Sequence, residues 1–274
     1  MLKWLEISAL GVAVAGCVLV SGLASPTWAT AIYEDDFESY DISGGPIDIV
    51  GQAAPTGQVY QATPKVNLVG GAGNINSMEV RNDVGIGVGN QGVGSNAGSG
   101  AAGVTSATVP LGTTLSSGVY TLGMDYVVTG NGSPQVFISN TANASGALVS
   151  LAVEGSPLHV ALQGVGLGNH VVPGVNFTTP ATVRFALTID LDAQSLNLAW
   201  DGLDVTNDAV TGTYSTNFVS PGFQFSYLHF FNGAANNPHG FDNLILVEGT
   251  EIPEPAALSL LAMGVLGLMR RRRR

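Results

Sequence analysis

Residues 182–202 read T-V-R-F-A-L-T-I-D-L-D-A-Q-S-L-N-L-A-W-D-G, and this run decides the fold. Polar and apolar residues alternate from Thr182 to Asp190. The segment Leu191-Asp192-Ala193-Gln194 breaks the alternation, which resumes from Ser195 to Asp201 and stops at Gly202. Side chains on a strand point to opposite faces with a period of two. Leu196, Leu198 and Trp200 therefore share one face, and Asn197, Ala199 and Asp201 share the other. The stretch predicts two antiparallel strands joined by a short turn, with Trp200 on the buried side.

Outward from this hairpin the same signature repeats. Ser106–Val109, Gly118–Val128, Gln135–Ser139, Ala147–Val153, His159–Gln163, Phe223–Phe231 and Phe241–Val247 are rich in Val, Ile, Leu, Thr and aromatics, and each is bounded by Gly, Pro, Asn or Asp. Nearer the front, Tyr33–Tyr40 sets four carboxylates around Phe37 and predicts a first strand with Phe37 buried. Residues 41–64 read as loops with one short strand, and Val66–Val69 and Ser77–Arg81 as strands flanking a glycine turn. The glycine-rich run 84–103 lacks the Lys-Ser or Lys-Thr and the following helix of a phosphate loop, so it reads as a surface loop with one edge strand. No long segment of the body has helical period. Short strands at near-even spacing predict an all-β, antiparallel β-sandwich of jelly-roll type, as one domain over 32–251.

The hairpin resembles that of concanavalin-like and laminin-G-like jelly rolls, in which a strand ending in Asp turns into one ending in Asp-Gly. The resemblance implies two stacked antiparallel sheets, often with glycans or peptides bound on a concave face or rim. It supplies no binding residue.

The two ends of the chain carry an address. Residues 252–274 read I-P-E-P-A-A-L-S-L-L-A-M-G-V-L-G-L-M-R-R-R-R-R. The uncharged run 256–269 makes a helix of about 21 Å at ~1.5 Å per residue, short against a bilayer core of about 30 Å. Pro253, Glu254 and Pro255, the short apolar helix and Arg270, Arg271, Arg272, Arg273 and Arg274 together resemble the PEP-CTERM sorting signal. That family implies recognition by an exosortase in the inner membrane, removal of the tail, and transfer of the body to the cell envelope, surface or extracellular matrix. It implies nothing about the body's activity. At the front, Met1–Lys3 is a short basic start, Leu5–Val20 is mostly apolar, and Ala29-Thr30-Ala31 offers a cleavage site before Ile32. Residues 1–31 therefore read as a signal peptide with its own helix. A second reading takes Val14–Cys17 as a lipobox with a lipid on Cys17.

Composition excludes several chemistries. Cys17 is the only cysteine, so the body has no disulfide and no thiolate. The chain has a formal net charge of −11 despite the five terminal arginines; Lys65, Arg81 and Arg184 are the only basic residues of the body. Such a surface repels nucleic acid. His159, His170, His229 and His239 show no metal-binding spacing, and no G-x-S-x-G elbow occurs. The body's glutamates, Glu34, Glu38, Glu79, Glu154, Glu248 and Glu251, make no E-x-D-x-x-E pair of the jelly-roll glycosidases. Two distant carboxylates remain a route to hydrolysis.

Three functions follow in order: a non-catalytic envelope or matrix component, a lectin-like module binding exopolysaccharide or other glycans, and a glycoside hydrolase. Tyr60 and Tyr214 are loop candidates for sugar platforms. Parity places Phe241, Asn243, Ile245 and Val247 on one face of the final strand and Asp242, Leu244 and Leu246 on the other. Jelly-roll families commonly set first and last strands side by side, which would bring Asp242 to Asp35, Asp36 and Glu38. These four are the candidate calcium ligands, since carboxylates suit a hard cation.

Overall fold

The computed structural model describes residues 31–62, 76–82, 92–94, 105–128, 134–142, 149–154, 158–164, 168–177, 181–203, 212–217, 222–232 and 240–250. The signal helix, the C-terminal helix with its Pro253–Pro255 motif and arginines, Ala29, and the strand expected at Val66–Val69 lie outside these residues.

Every regular element described is a strand: β1 Ala31–Asp35, β2 Ile47–Asp48, β3 Asn76–Ser77, β4 Glu79–Arg81, β5 Gly92–Gly94, β6 Thr105–Leu115, β7 Val119–Val128, β8 Pro134–Ser139, β9 Val149–Glu154, β10 Leu158–Gly164, β11 Gly168–Phe177, β12 Ala181–Asp190, β13 Ser195–Leu203, β14 Gly212–Asn217, β15 Phe225–Asn232 and β16 Gly240–Glu248. They form two sheets. The first runs β14-β13-β12-β7-β16-β5-β4-β2, with β1 also paired to β16; the second runs β11-β10-β9-β8-β15-β6-β3. All pairings are antiparallel except the two-residue contact of β3 with β6.

The hairpin is β12–β13, in register from Thr182↔Leu203 to Asp190↔Ser195. Its turn works because Asp190 Oδ1 accepts a hydrogen bond from the Ala193 N–H at 2.7 Å and Gln194 adopts a left-handed φ of 55°. Val183, Phe185, Leu187 and Ile189 are buried, as are Leu196, Leu198 and Trp200, while the residues between them are not.

The inward faces of both sheets contribute to one apolar cluster. The Phe230 ring of β15 lies 6.5 Å from Tyr33 of β1 and 5.6 Å from Phe241 of β16, and Tyr120 of β7 meets Phe225 of β15 edge-on at 5.7 Å. Burying such rings at about 25 cal/mol per Å² is the main favourable term of the fold.

Several expectations change. β11 and β14 were not foreseen: Pro173 and Gly174 obscure the first and polar alternation the second. Gly212 opens β14 opposite Trp200, where an added Cβ would sit 2.3 Å from Trp200 Cζ2. β5, expected at an edge, lies between β16 and β4. Ser77–Arg81 divides between the two sheets at buried Met78. Phe37 is buried as expected, but beyond the first strand, at a left-handed φ of 61°.

The parity of β16 is also corrected. Asp242 faces Asp125, whereas Ile245 faces Gly123, so β16 carries one extra residue between them. Asn243 absorbs it at φ 48°, a conformation that asparagine tolerates better than most residues. Beyond the bulge the faces exchange. Phe241 therefore shares the core with Leu244 and Leu246, not with Asn243, Ile245 and Val247.

Candidate functional site

The second sheet carries a row of polar and aromatic residues on the face away from the core. On β15, Leu228 and Phe230 join the core cluster. Alternation sends Tyr227, His229 and Phe231 to the opposite face, where Phe231 meets Phe137 of β8 edge-on at 5.9 Å and Tyr227 stacks on His229 at 6.1 Å. Ser106 and Thr108 of β6 flank this row, in register with Phe231 and His229. Tyr227 is half-buried; the others are buried. Ser106 Oγ has no hydrogen-bond partner among the described residues.

His229 sits between two hydroxyls. Thr108 Oγ1 is 2.8 Å from Nδ1, and Ser139 Oγ is 2.8 Å from Nε2. Ser139 donates its one hydroxyl hydrogen to the Thr141 carbonyl at 2.7 Å, so toward the ring it accepts. Nε2 therefore carries the hydrogen, and Nδ1 accepts from Thr108. Burial pushes the imidazole down to about 4, against the opposing pull of the Thr141 carbonyl. In this arrangement His229 is a neutral cross-brace between β6 and β8. The two sides differ in proton direction: Ser139 accepts from the imidazole, whereas Thr108 donates to it, the direction a nucleophile–base pair uses.

A second buried polar group joins β1 to the loop that follows it. Tyr33 and Asp35 point inward and are fully buried. Asp35 Oδ2 accepts from the Tyr40 hydroxyl at 2.6 Å and the Tyr60 hydroxyl at 2.8 Å, and Oδ1 accepts from the Phe37 N–H at 2.8 Å. The Tyr33 and Tyr60 hydroxyls hydrogen-bond to each other. Burial raises the Asp35 carboxyl above its usual range, although all three donors oppose the shift. Tyr60, expected on a loop surface, is thus buried, and Tyr214 is a half-buried residue of β14 packed against the core.

On the outer face of the first sheet, Asp125 of β7 accepts from Asn243 Nδ2 at 2.8 Å and pairs with Arg184 Nη1 of β12 at 3.3 Å. Burial raises this carboxyl too, opposed by Arg184 and Asn243. A basic residue inside the strand run 182–190 was the available signal for an acidic neighbour.

β1 and β16 are side by side, from Ala31↔Val247 to Asp35↔Leu244, as the resemblance to jelly rolls implies. The four candidate calcium ligands nevertheless do not form a set. Among the described residues no three His, Asp or Glu side chains are grouped to hold a metal ion. Asp35 is enclosed by tyrosines, Asp36 Oδ1 accepts from the Glu38 N–H at 3.2 Å, and Asp242 lies opposite Asp125 with its Oδ1 on the Asn243 N–H at 2.7 Å. Asp41 and Asp48 likewise accept from backbone N–H groups two residues on. Most of these acids shape turns.

Comparison with solved structures finds distant likenesses. The lectin UEA-II complexed with galactose is 8% identical, with 72% of this chain and 96% of that chain covered and a TM-score of 0.42. Peanut lectin with a nine-residue peptide is 12% identical, covering 72% and 98% with a TM-score of 0.41. The catalytic domain of a glycoside hydrolase family 131 protein from Coprinopsis cinerea is 13% identical, covering 83% and 97% with a TM-score of 0.42. No match is found among curated proteins. One family model matches: residues 251–274 carry the PEP-CTERM protein-sorting motif.

Proposed function

We propose that the protein is a non-catalytic component of the cell envelope or extracellular matrix, with a jelly-roll β-sandwich as its body and an exosortase as its transient partner in the inner membrane. The observation that carries the export and exosortase part of this reading is the PEP-CTERM motif at 251–274, which begins directly beyond β16 and its anchored Gly249. The Gly249 N–H donates to the Val119 carbonyl at 2.7 Å, so the body is closed before the tail begins. Loss of the tail leaves every described strand complete. The buried Thr108–His229–Ser139 brace supports a structural use of the groups that most resemble catalytic ones.

Intact mass of the exported protein tests the reading: the mature form lacks the arginine cluster, and a mass ending at Arg274 overturns it. Replacing all five arginines causes mis-sorting. Normal processing of that variant shows the arginines to be incidental.

The second reading is glycan binding on the outer face of the second sheet. It is favoured by the half-buried Tyr227 stacked on His229 and by the unpartnered Ser106 hydroxyl in the same row. Aromatic faces beside fixed polar groups suit sugars. A glycan array on the mature body checks it: binding that Tyr227→Ala abolishes supports the reading, and no binding by the wild type rejects it.

A further inference from the structure

The two segments that the sequence assigns to membranes leave the body at one end of the first sheet. Ala31, at the signal-peptide boundary, is in register with Val247 near the end of β16. Glu248 is opposite Tyr120, at the start of β7. β12 finishes there as well, with Asp190 opposite Val119. The turns at this end are tied together: the Leu191 N–H donates to the Gly118 carbonyl at 2.9 Å, the Gly118 N–H donates to Asp192 Oδ2 at 3.1 Å, and Thr121 Oγ1 donates to the Gly249 carbonyl at 2.7 Å. Entry and exit of the body are thus neighbours on one rigid pole.

The connections beyond that pole are short. Five residues lie between Thr250 and Ala256, where the apolar run begins, a reach of at most about 22 Å over six steps at ~3.3–3.6 Å per residue. Arg184 and Asp201 lie along the sheet from the pole, six residues from Asp190 and Ser195 respectively, or about 20 Å at ~3.3 Å per residue.

We infer that, while the tail is embedded, this pole faces the lipid surface, with Ser116–Gly118 and the Leu191–Gln194 turn nearest the headgroups. The inference rests on the sorting reading of the tail. The orientation comes from topology: a sheet whose last strand ended at the other pole would present the opposite end. Adsorption does not supply it, since the charged side chains described at this pole, Asp190, Asp192 and Glu248, are all acidic and outweigh the one α-amino group that cleavage before Ile32 leaves there, so anionic lipid repels it. The tether alone holds the body down, so cutting the tail frees it from the membrane.

The test uses the signal-processed chain, residues 32–274, which holds no cysteine of its own, carrying a single introduced thiol at Ser117→Cys or Asp201→Cys. Both positions are exposed. Each variant is labelled with a fluorophore and reconstituted by its tail into phosphatidylethanolamine–phosphatidylglycerol vesicles that hold a headgroup quencher. Stronger quenching at position 117 than at 201, lost from both on cleavage between body and tail, is the expected result. Equal quenching, stronger quenching at 201, or none at either site with the tail inserted overturns the orientation. Quenching retained after cleavage overturns the tether. An exported protein whose mass ends at Arg274 removes the sorting reading but leaves this geometry standing, so the two fail separately.

Discussion

The β12–β13 hairpin and the β1–β16 pair belong to the same sheet and obey different rules. In the hairpin nine successive residues of each strand oppose one another without interruption, so residue type alternates with burial and the sequence can be read directly. In the terminal pair and its neighbour β7, the extra residue at Asn243 exchanges the faces of β16 halfway along. Fully buried Asp35, nearly buried Asp242 and nearly buried Asp125 all lie near that irregularity. The difference teaches that period-two reading holds only while the ladder is regular, because one inserted residue moves every later side chain to the other face.

The largest expected effect is in the regular region. Trp200→Ala empties a core position and lowers stability by about 3–5 kcal/mol, measured by urea unfolding of the mature body. Trp200 is the body's one tryptophan, so its emission is blue-shifted and weakly quenched by acrylamide. Emission like that of free tryptophan would contradict the buried hairpin face.

Next comes the irregular region. Asp35→Ala leaves the hydroxyls of Tyr40 and Tyr60 and the N–H of Phe37 without their acceptor and costs about 3 kcal/mol. Asp35→Asn keeps one oxygen and costs less. Equal losses in the two variants would mean that shape, not hydrogen bonding, holds the loop on β1.

The pH dependence separates the first sheet from the second. Burial raises Asp35 and Asp125, so the native state keeps protons there that the unfolded chain has released. Their effect is a loss of stability as pH rises from about 3.9 through their raised values. His229 has the opposite sign. It is lowered from 6.5 to about 4, so its contribution is fully present above pH 6.5 and is lost as pH falls through about 4. That contribution is on the order of 3 kcal/mol. His229→Gln removes the acid-side loss and Asp35→Asn reduces the opposing slope, both read from melting temperature against pH. A His229→Gln profile parallel to wild type would show that the imidazole binds its proton alike in the folded and unfolded chain, so that burial does not lower it.

The smallest effect is at the bulge. Asn243→Val forces a β-branched residue to a positive φ and costs about 1–3 kcal/mol. Asn243→Gly relieves the backbone but gives up the bond to Asp125, and is close to neutral. If Val is tolerated as well as Gly, the strand has shed its extra residue and the two regions no longer differ.

Much of the fold was legible in the residues themselves. The strand positions around the hairpin and the burial of Trp200 and Phe37 were readable because hydrophobic alternation reports directly on burial in a regular sheet, whereas the adjacency of first and last strands followed from the resemblance to jelly rolls. The tail's motif was legible for a simpler reason: it is linear, and its meaning does not depend on folding. The sequence alone therefore determined an all-β body bearing a sorting address.

Tertiary structure alone decided the rest. Thr108, Ser139 and His229 are far apart in the chain, and only strand order brings them to one ring. Asp35 could be read as a free carboxylate until Tyr40 and Tyr60 closed on it. The bulge at Asn243 could not be counted from polarity, because Asp-Asn followed by four apolar residues fits either parity. Polar side chains gain their partners from register and topology, which depend on contacts remote in sequence, whereas apolar periodicity is written locally.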